Sequence, residues 1–402
     1  MIAGDVIDGY FRNDRGHFVI SRNSDEPRLA GIEEIRNLEQ FDALNHKYNH
    51  ETEGENIMIF DYGPSMGGVI ESVLFRIYTN GERILSMSAV PDFKERAINI
   101  TGLDLDKALM KMERFNGFHS AAYSTMFCRT AEQILHIDVP EKVKSVRIAM
   151  MELERIASHL FVISRLCEAA SQNIATYQLQ ALRERVLRMI SRTFSHRYFF
   201  GVNRIGGIGR DIKLDPVRKE LPSIIAEFEE ILSLLSSSRI FIDRLQKTCD
   251  ISKPWLCGPA LRGSGNDYDS RRNDPYYEGI KFKIVSENGS DSLSRFLTRA
   301  FEISESGGII NHVIENIGEV HSSMEKGSKD SGKALGRVET PSGDCPLYLE
   351  IEGKRVNFSY MRPPAILNLE GFLRGISGNV KTDFPFAYES FGIWISEMSV
   401  IS

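Results

Sequence analysis

The chain has 402 residues, 42% hydrophobic and 26% charged, with a net charge of −6. That is enough apolar material for one large core or two smaller ones, and the mild acidity, with no basic stripe, argues against a nucleic-acid partner. No apolar run approaches the roughly 18 residues of a membrane helix, and Met1–Tyr10 lacks the charged and apolar regions of a secretory signal.

Five cysteines, Cys128, Cys167, Cys249, Cys257 and Cys345, are dispersed, and none forms Cys-x-x-Cys. This fits reduced thiols packed as small hydrophobes in a cytosolic compartment. Residues 55–100 alternate in polarity and carry the turn signal Asn80-Gly81, which predicts strands and a hairpin. From about 104 the period becomes helical. Val143, Val146, Met150, Leu153, Ala157, Leu160 and Ser164 recur every three or four residues and predict a long helix with one buried stripe. Further helices are expected over about 175–195, over 216–247 after the start signal Asp215-Pro216, and over 291–326. A Gly/Pro/Asp-rich loop runs from Cys257 to Tyr277, and 334–402 reads as short strands with one helix near 365–376. No internal repeat or low-complexity linker is present. The expected class is mainly α with small β elements (α+β), a helical bundle with β structure at both ends. Residues 1–55 read as an N-terminal extension to a single domain over 56–402.

Two glycine clusters could suggest phosphate binding. Arg204-Ile-Gly206-Gly207-Ile-Gly209-Arg210-Asp211 lacks both the preceding strand of the dinucleotide fingerprint and Gly-Lys-Ser/Thr. Its glycines fit positive φ or close backbone approach, as do those of Gly258-Pro-Ala-Leu-Arg262-Gly263-Ser264-Gly265. There Asp267, Asp269, Arg271 and Arg272 follow at once, which fits a buried ion network, a partner surface or a solvated loop. His159, within Glu152-Leu-Glu-Arg155-Ile-Ala-Ser-His159, reads as a satisfied helix-contact residue. His312 and His321 do not have metal-binding spacing.

An ordered set of short motifs carries a resemblance. It begins with Gly63-Pro64, Glu71, Phe75-Arg76 and Asn80-Gly81-Glu82-Arg83-Ile84. It continues with Glu152-x-x-Arg155-x-x-x-His159-Leu160, Arg183-Glu184, Arg204–Asp211 and Leu261-Arg262-Gly263-Ser264-Gly265 with Asp269 and Arg271. It ends with Gly336-Arg337-Val338-Glu339-x-Pro341-x-Gly343, Arg362-x-Pro364 and Asn368-Leu369. Together these resemble the large subunit of energy-converting, membrane-bound nickel–iron hydrogenases and its relative, the 49-kDa protein (the D-type subunit) of respiratory complex I. The resemblance spans about 60–400.

The hydrogenases hold nickel and iron on four cysteines, in Arg-x-Cys-Gly-x-Cys and Asp-Pro-Cys-x-x-Cys. The matching positions here are Asn116, His119, Trp394 and Glu397. No other side chains replace four thiolates at so soft a site, so a nickel–iron centre is not expected, and no metal ligand is assigned. In complex I the same cavity takes the quinone headgroup. The positions of its histidine, tyrosine and supporting aspartate fall on Met66, Gly117 and Ala169, which bring no proton donor. With Tyr123 they are expected to line an acceptor cavity. Glu71 matches a proton-passing glutamate of the hydrogenases, and Glu397 matches a glutamate of the complex I tail. Glu71, His119 and Glu397 are therefore the candidate catalytic residues, as a proton relay or a small hard-metal site; the alternative is a buried His119–Glu397 pair filling a dead cavity.

The resemblance implies a peripheral subunit on the cytoplasmic face of the membrane. It implies no cofactor on this chain and iron–sulfur clusters in partners. The expected partners are a small iron–sulfur subunit resembling the B-type subunit of complex I, other hydrophilic subunits and membrane-embedded antiporter-like subunits, with no nucleic acid. Electrons would pass to a quinone or another small acceptor, coupled to ion translocation without nickel–iron chemistry. A non-catalytic coupling scaffold is the alternative.

Overall fold

The computed structural model describes residues 6–13, 15–36, 38–65, 71–94, 98–315 and 317–398. The N-terminal hairpin pairs β1 (Ile7–Asn13) with β2 (Gly16–Ser21). An antiparallel sheet follows, β3 (Met58–Tyr62), β4 (Leu74–Asn80) and β5 (Arg83–Val90). Asn80 lies opposite Arg83, so Gly81 and Glu82 form the hairpin loop expected from Asn80-Gly81, with Gly81 at φ +60°. The helical body is α1 (Leu105–Met112), α2 (Ser120–Leu135), α3 (Glu141–Ala169), α4 (Asn173–Phe194), α5 (Asp215–Ser237) and α6 (Ser292–Ile314). The chain returns as an antiparallel meander, β6 (Gly332–Thr340), β7 (Gly343–Glu352) and β8 (Arg355–Met361), and closes with α7 (Pro364–Gly375) and α8 (Phe384–Phe391).

The α+β expectation holds. One core joins α1 to α6 with the β6–β8 meander, and a second joins β4 and β5 to α7 and α8. Residues before Asn56 belong to the same body. Ile7, Val19 and Ile35 enter the second core. Buried Asp8 meets Arg22 at 3.0 Å, Arg337 at 2.8 Å and Arg362 at 3.6 Å, tying the first hairpin to β6 and to the start of α7.

Some element boundaries differ from expectation. The 216–247 helix is two: α5 ends at Ser237, Ser238 is extended, and a short helix covers Arg239–Leu245. The 291–326 helix stops at Ile314; beyond it Ser323–Met324 pairs with Gly207–Ile208. Helix α8 occupies a stretch that alternation did not reveal, because Phe384, Phe386, Ala387, Tyr388 and Phe391 are all buried. Helix α3 has no single stripe: it is enclosed from Val146 to Leu160, and its charged residues are buried with partners.

The glycines of the 204–211 turn serve close backbone approach. A Cβ on Gly207 would sit 2.0 Å from Ser323 O, and one on Gly206 2.4 Å from Glu325 O. The 257–277 loop does carry a buried ion network. Arg262 contacts Glu302 and Glu339 at 2.7 Å and Asp269 at 3.2 Å. Arg271 reaches Asp269 at 2.7 Å and Glu152 at 3.1 Å, while Glu302 also takes His159 Nε2 at 2.7 Å. Burial would raise the Glu302 carboxyl, but Arg262, His159 and Arg155 hold it well below the carboxylate range. Asp267 and Arg272 form an exposed pair outside this network. Glu302→Ala, which removes the buried carboxylate shared by Arg262 and His159, should cost about 3–5 kcal/mol in urea unfolding. Arg272→Ala should stay within about 0.5 kcal/mol of the parent.

Candidate functional site

The site forms where the turn before α2 meets the C-terminal tail. Asn116-Gly117-Phe118-His119 turns into α2, with Asn116 Oδ1 accepting from Phe118 N at 2.9 Å. His119 is the N-cap, and Tyr123, four residues on, lies on the same face. The N-terminal amides of α2 are capped from α3: Glu154 accepts from Ala121 N at 2.6 Å and Ala122 N at 3.0 Å. From the other side, Glu397 enters on the 3₁₀ turn Ile395–Met398.

Three donors converge on one oxygen. Glu397 Oε1 accepts from Asn116 Nδ2 at 2.8 Å and Tyr123 OH at 2.6 Å, and lies 2.5 Å from His119 Nδ1. His119 and Glu397 are fully buried. The second ring nitrogen of His119 lies 3.4 Å from Ser342 Oγ, which donates to Gly392 O at 3.0 Å. Glu397 Oε2 is buried with no hydrogen-bond partner among the described residues. The arrangement is a proton-sharing hub: a carboxylate, an imidazole and a phenol around one acceptor. Burial pushes the Tyr123 phenol well up, and Glu397 adds to this, so Tyr123 stays a donor.

Trp394 fills the space beside the hub. Its ring stacks on Phe118 at 4.1 Å and Phe161 at 5.7 Å and meets His119 edge-on. The Arg183 guanidinium lies 4.9 Å from both phenylalanine rings. Two crevices of about 20 Å³ flank this stack, each with room for about one water. One is lined by Glu71, Phe161, Tyr388, Glu389 and Trp394, the other by Gly117, Phe118, Glu154 and Arg183.

The expected residues therefore divide. His119, Tyr123 and Glu397 come together. Glu71 reaches the adjacent backbone, its Oε2 accepting from Ser396 N at 2.8 Å. Gly117 leaves open space: a Cβ there would meet nothing within 4 Å. Ala169, the last residue of α3, packs against the helical core and lines neither crevice. Met66 lies outside the described residues. His119 and Glu397 form a buried hydrogen-bonded pair beside the Trp394 stack. The set does not fit nickel and iron, since it offers no thiolate, and the five cysteines are all buried elsewhere. Among the described residues no three His, Cys, Asp or Glu side chains are grouped to hold a metal ion.

Two residues escaped the sequence reasoning. Glu154 stands within the Glu152–His159 motif, one position before Arg155, but nothing local marks it as the cap of another helix. Burial pushes its carboxyl up to about 8, against the pull of the two amides. Glu389 sits in an apolar helix with no motif around it.

The chain is thus a helical body with short antiparallel sheets and a buried polar site between the turn before α2 and the C-terminal tail. Residues 171–329 match the family model of the respiratory-chain NADH dehydrogenase 49-kDa subunit. The second D-type subunit of NADH-quinone oxidoreductase from Herpetosiphon aurantiacus is 27% identical over 369 residues, 86% of this chain and 99% of that protein. The corresponding D-type subunit from Dehalococcoides mccartyi is 28% identical over 359 residues, 83% of this chain and 95% of that protein. The fold also matches a chain in the structure of the membrane-bound sulfane sulfur reductase, an archaeal respiratory membrane complex. There the TM-score is 0.78 at 19% identity, over 87% of this chain and 100% of that one. The chain is a relative of the 49-kDa, D-type proteins, as the motif order implied.

Elemental analysis of the purified protein should find no stoichiometric nickel; about one nickel per chain would contradict the placement of both motifs. A second expectation concerns pH. The Glu154 carboxyl is raised in the fold, so the native state holds a proton that the unfolded chain releases. Stability should therefore fall as pH rises from about 4.5 through about 8. Burial lowers His159 to about 4, which acts in the opposite sense at lower pH and is common to parent and variant. The stability difference between parent and Glu154→Gln should change across that window in favour of the variant at alkaline pH, measured by urea unfolding at each pH.

Proposed function

We propose that this chain is the large peripheral subunit of a membrane-associated, complex I-like oxidoreductase. In this reading, electrons from iron–sulfur clusters of a small partner subunit pass to an acceptor held beside the Glu71 edge, and the Glu397 hub supplies protons. The observation that carries it is the convergence of His119, Tyr123 and Asn116 on one buried Glu397 oxygen, at positions that the family resemblance gives to the redox cavity. Proton transfer by positioned groups suits such a hub, since each member can hold or pass a proton without solvent. The names of the relatives, D-type subunits of NADH-quinone oxidoreductase, support an acceptor of quinone type. The sulfane sulfur reductase likeness makes a sulfur compound the other acceptor to test. No described helix is long and apolar enough to cross a membrane, which is compatible with a subunit resting on membrane-embedded, antiporter-like partners at the cytoplasmic face. Coupling to ion translocation belongs to the same proposal.

A second reading is favoured by a specific observation. Trp394 and the Phe118–Phe161 stack fill the space beside the hub, and each neighbouring crevice admits about one water. A chain whose cavity is filled serves as a coupling scaffold.

His119→Ala and Glu397→Gln in the purified assembly separate the two. Proton transfer through the hub predicts intact assembly and turnover lowered roughly 10²–10⁴-fold. The scaffold reading predicts destabilisation of about 3–5 kcal/mol or loss of assembly for His119→Ala. Normal assembly with parental turnover in both variants would end the proton-transfer role.

A further inference from the structure

Helix α8 carries one charged residue, Glu389, in an otherwise apolar run, where a carboxylate adds nothing to packing. It lies almost wholly buried and faces the crevice that it shares with Glu71 and Trp394. On its other side Arg165 Nη2 donates to Oε1 at 3.1 Å, and the same guanidinium holds Glu168, half exposed on α3, at 2.5 Å. A charged chain thus runs from solvent at Glu168 through Arg165 to Glu389, and across a space of about one water to Glu71. Two further observations place both carboxylates at one spot. The Tyr388 phenol is pushed well up by burial and then by Glu389 and Glu71 together. Trp394, lining the same crevice, has its indole N–H buried with no acceptor among the described residues, a donor for a water between the two acids.

We propose that Glu389 is the proton-loading residue of this site: it takes a proton from solvent at its slightly exposed edge beside Arg165 and shares it with Glu71 through the crevice. The proposal rests on the proton-coupled reading above and extends it to a residue outside the hub. The step moves one proton and no electrons. Solvent protonates Glu389, the proton passes through one water to the Glu71 carboxylate, and Glu389 is left ionised beside Arg165 until reloaded. Burial raises the Glu389 carboxyl to about 7, Arg165 opposing and Glu168 adding, so both forms are populated at neutral pH. The other charged groups facing α8 are Arg244 of the short helix Arg239–Leu245, whose guanidinium lies 5.0 Å from the Phe386 ring, and two arginines of α6. Arg295 donates to Ser390 Oγ at 2.9 Å, and Arg299 donates to the carbonyls of Ser390 and Phe391 at 2.6 Å, so both are committed to the helix end. No member of the hub bonds this carboxylate: the groups around Glu397 Oε1 are Asn116, His119 and Tyr123.

The test uses the purified assembly, with reduced methyl viologen as donor and a short-chain quinone or polysulfide as acceptor, assayed from pH 5.5 to 9. The parent should lose rate as pH rises through about 7. Glu389→Gln should assemble normally, lose this limb and turn over roughly 10²-fold more slowly, while Glu389→Asp retains the limb. Glu71→Gln, removing a neighbouring negative charge, should move the limb to lower pH. A parental profile in Glu389→Gln overturns the proposal. If the parent turns over neither acceptor, the redox reading fails instead, and infrared titration of the assembly decides the pairing. A carboxyl band titrating near pH 7 and absent in Glu389→Gln supports it; the same band in both proteins overturns it.

Discussion

The buried Arg262–Glu302 contact governs the placement of everything else. Arg262 comes from the glycine-rich loop, Glu302 from α6, His159 from α3 and Glu339 from β6, and all four are removed from water. Charges cannot stay in such surroundings alone, so each fixes the position of the others. Once α3 is held in this way, Glu154 on the next face of the helix reaches the amides at the start of α2. That contact sets the turn carrying Asn116 and His119. The hub is therefore a consequence of a charge network whose members never touch it.

This hierarchy separates what holds the fold from what forms the site. The motifs that carry the family resemblance, Glu152–His159, Leu261–Arg271 and Gly336–Gly343, supply the network and the close-packed glycines. None of them contributes a ligand. Asn116, His119, Trp394 and Glu397 lie outside that scaffold. They give the space an indole clustered with two phenylalanines and one carboxylate whose charge is met by hydrogen-bond donors.

Much of this was legible in the sequence, for definable reasons. The helical period marked the body, the Asn80-Gly81 hairpin formed as expected, and His119, Tyr123 and Glu397 met, because motif order constrains where distant segments meet. What escaped obeys the same logic in reverse. Helix α3 is buried all round because Glu152, Arg155 and His159 have partners far away in sequence, so polarity there misled the search for one stripe. Helix α8 is apolar on every face and carries no period. Ser238 ends α5 without glycine or proline to announce it. The role of Glu154 depends on another helix's first turn, and that of Glu389 on a crevice between three segments; neither relation is written locally.

The turn at Gly392 limits the directions in which this chain can evolve. Its φ is +62°, and a Cβ there would come within 2.8 Å of Arg299 Nη2, whose guanidinium closes the carbonyl end of α8. The hydrogenase tail begins with aspartate at this position. Placing thiolates at 394 and 397 would thus leave the tail on the wrong path: an aspartate at 392 meets both an unfavourable backbone region and an arginine already committed. Building a thiolate site on this tail would therefore require that a helix end, a buried cation and four side chains change together.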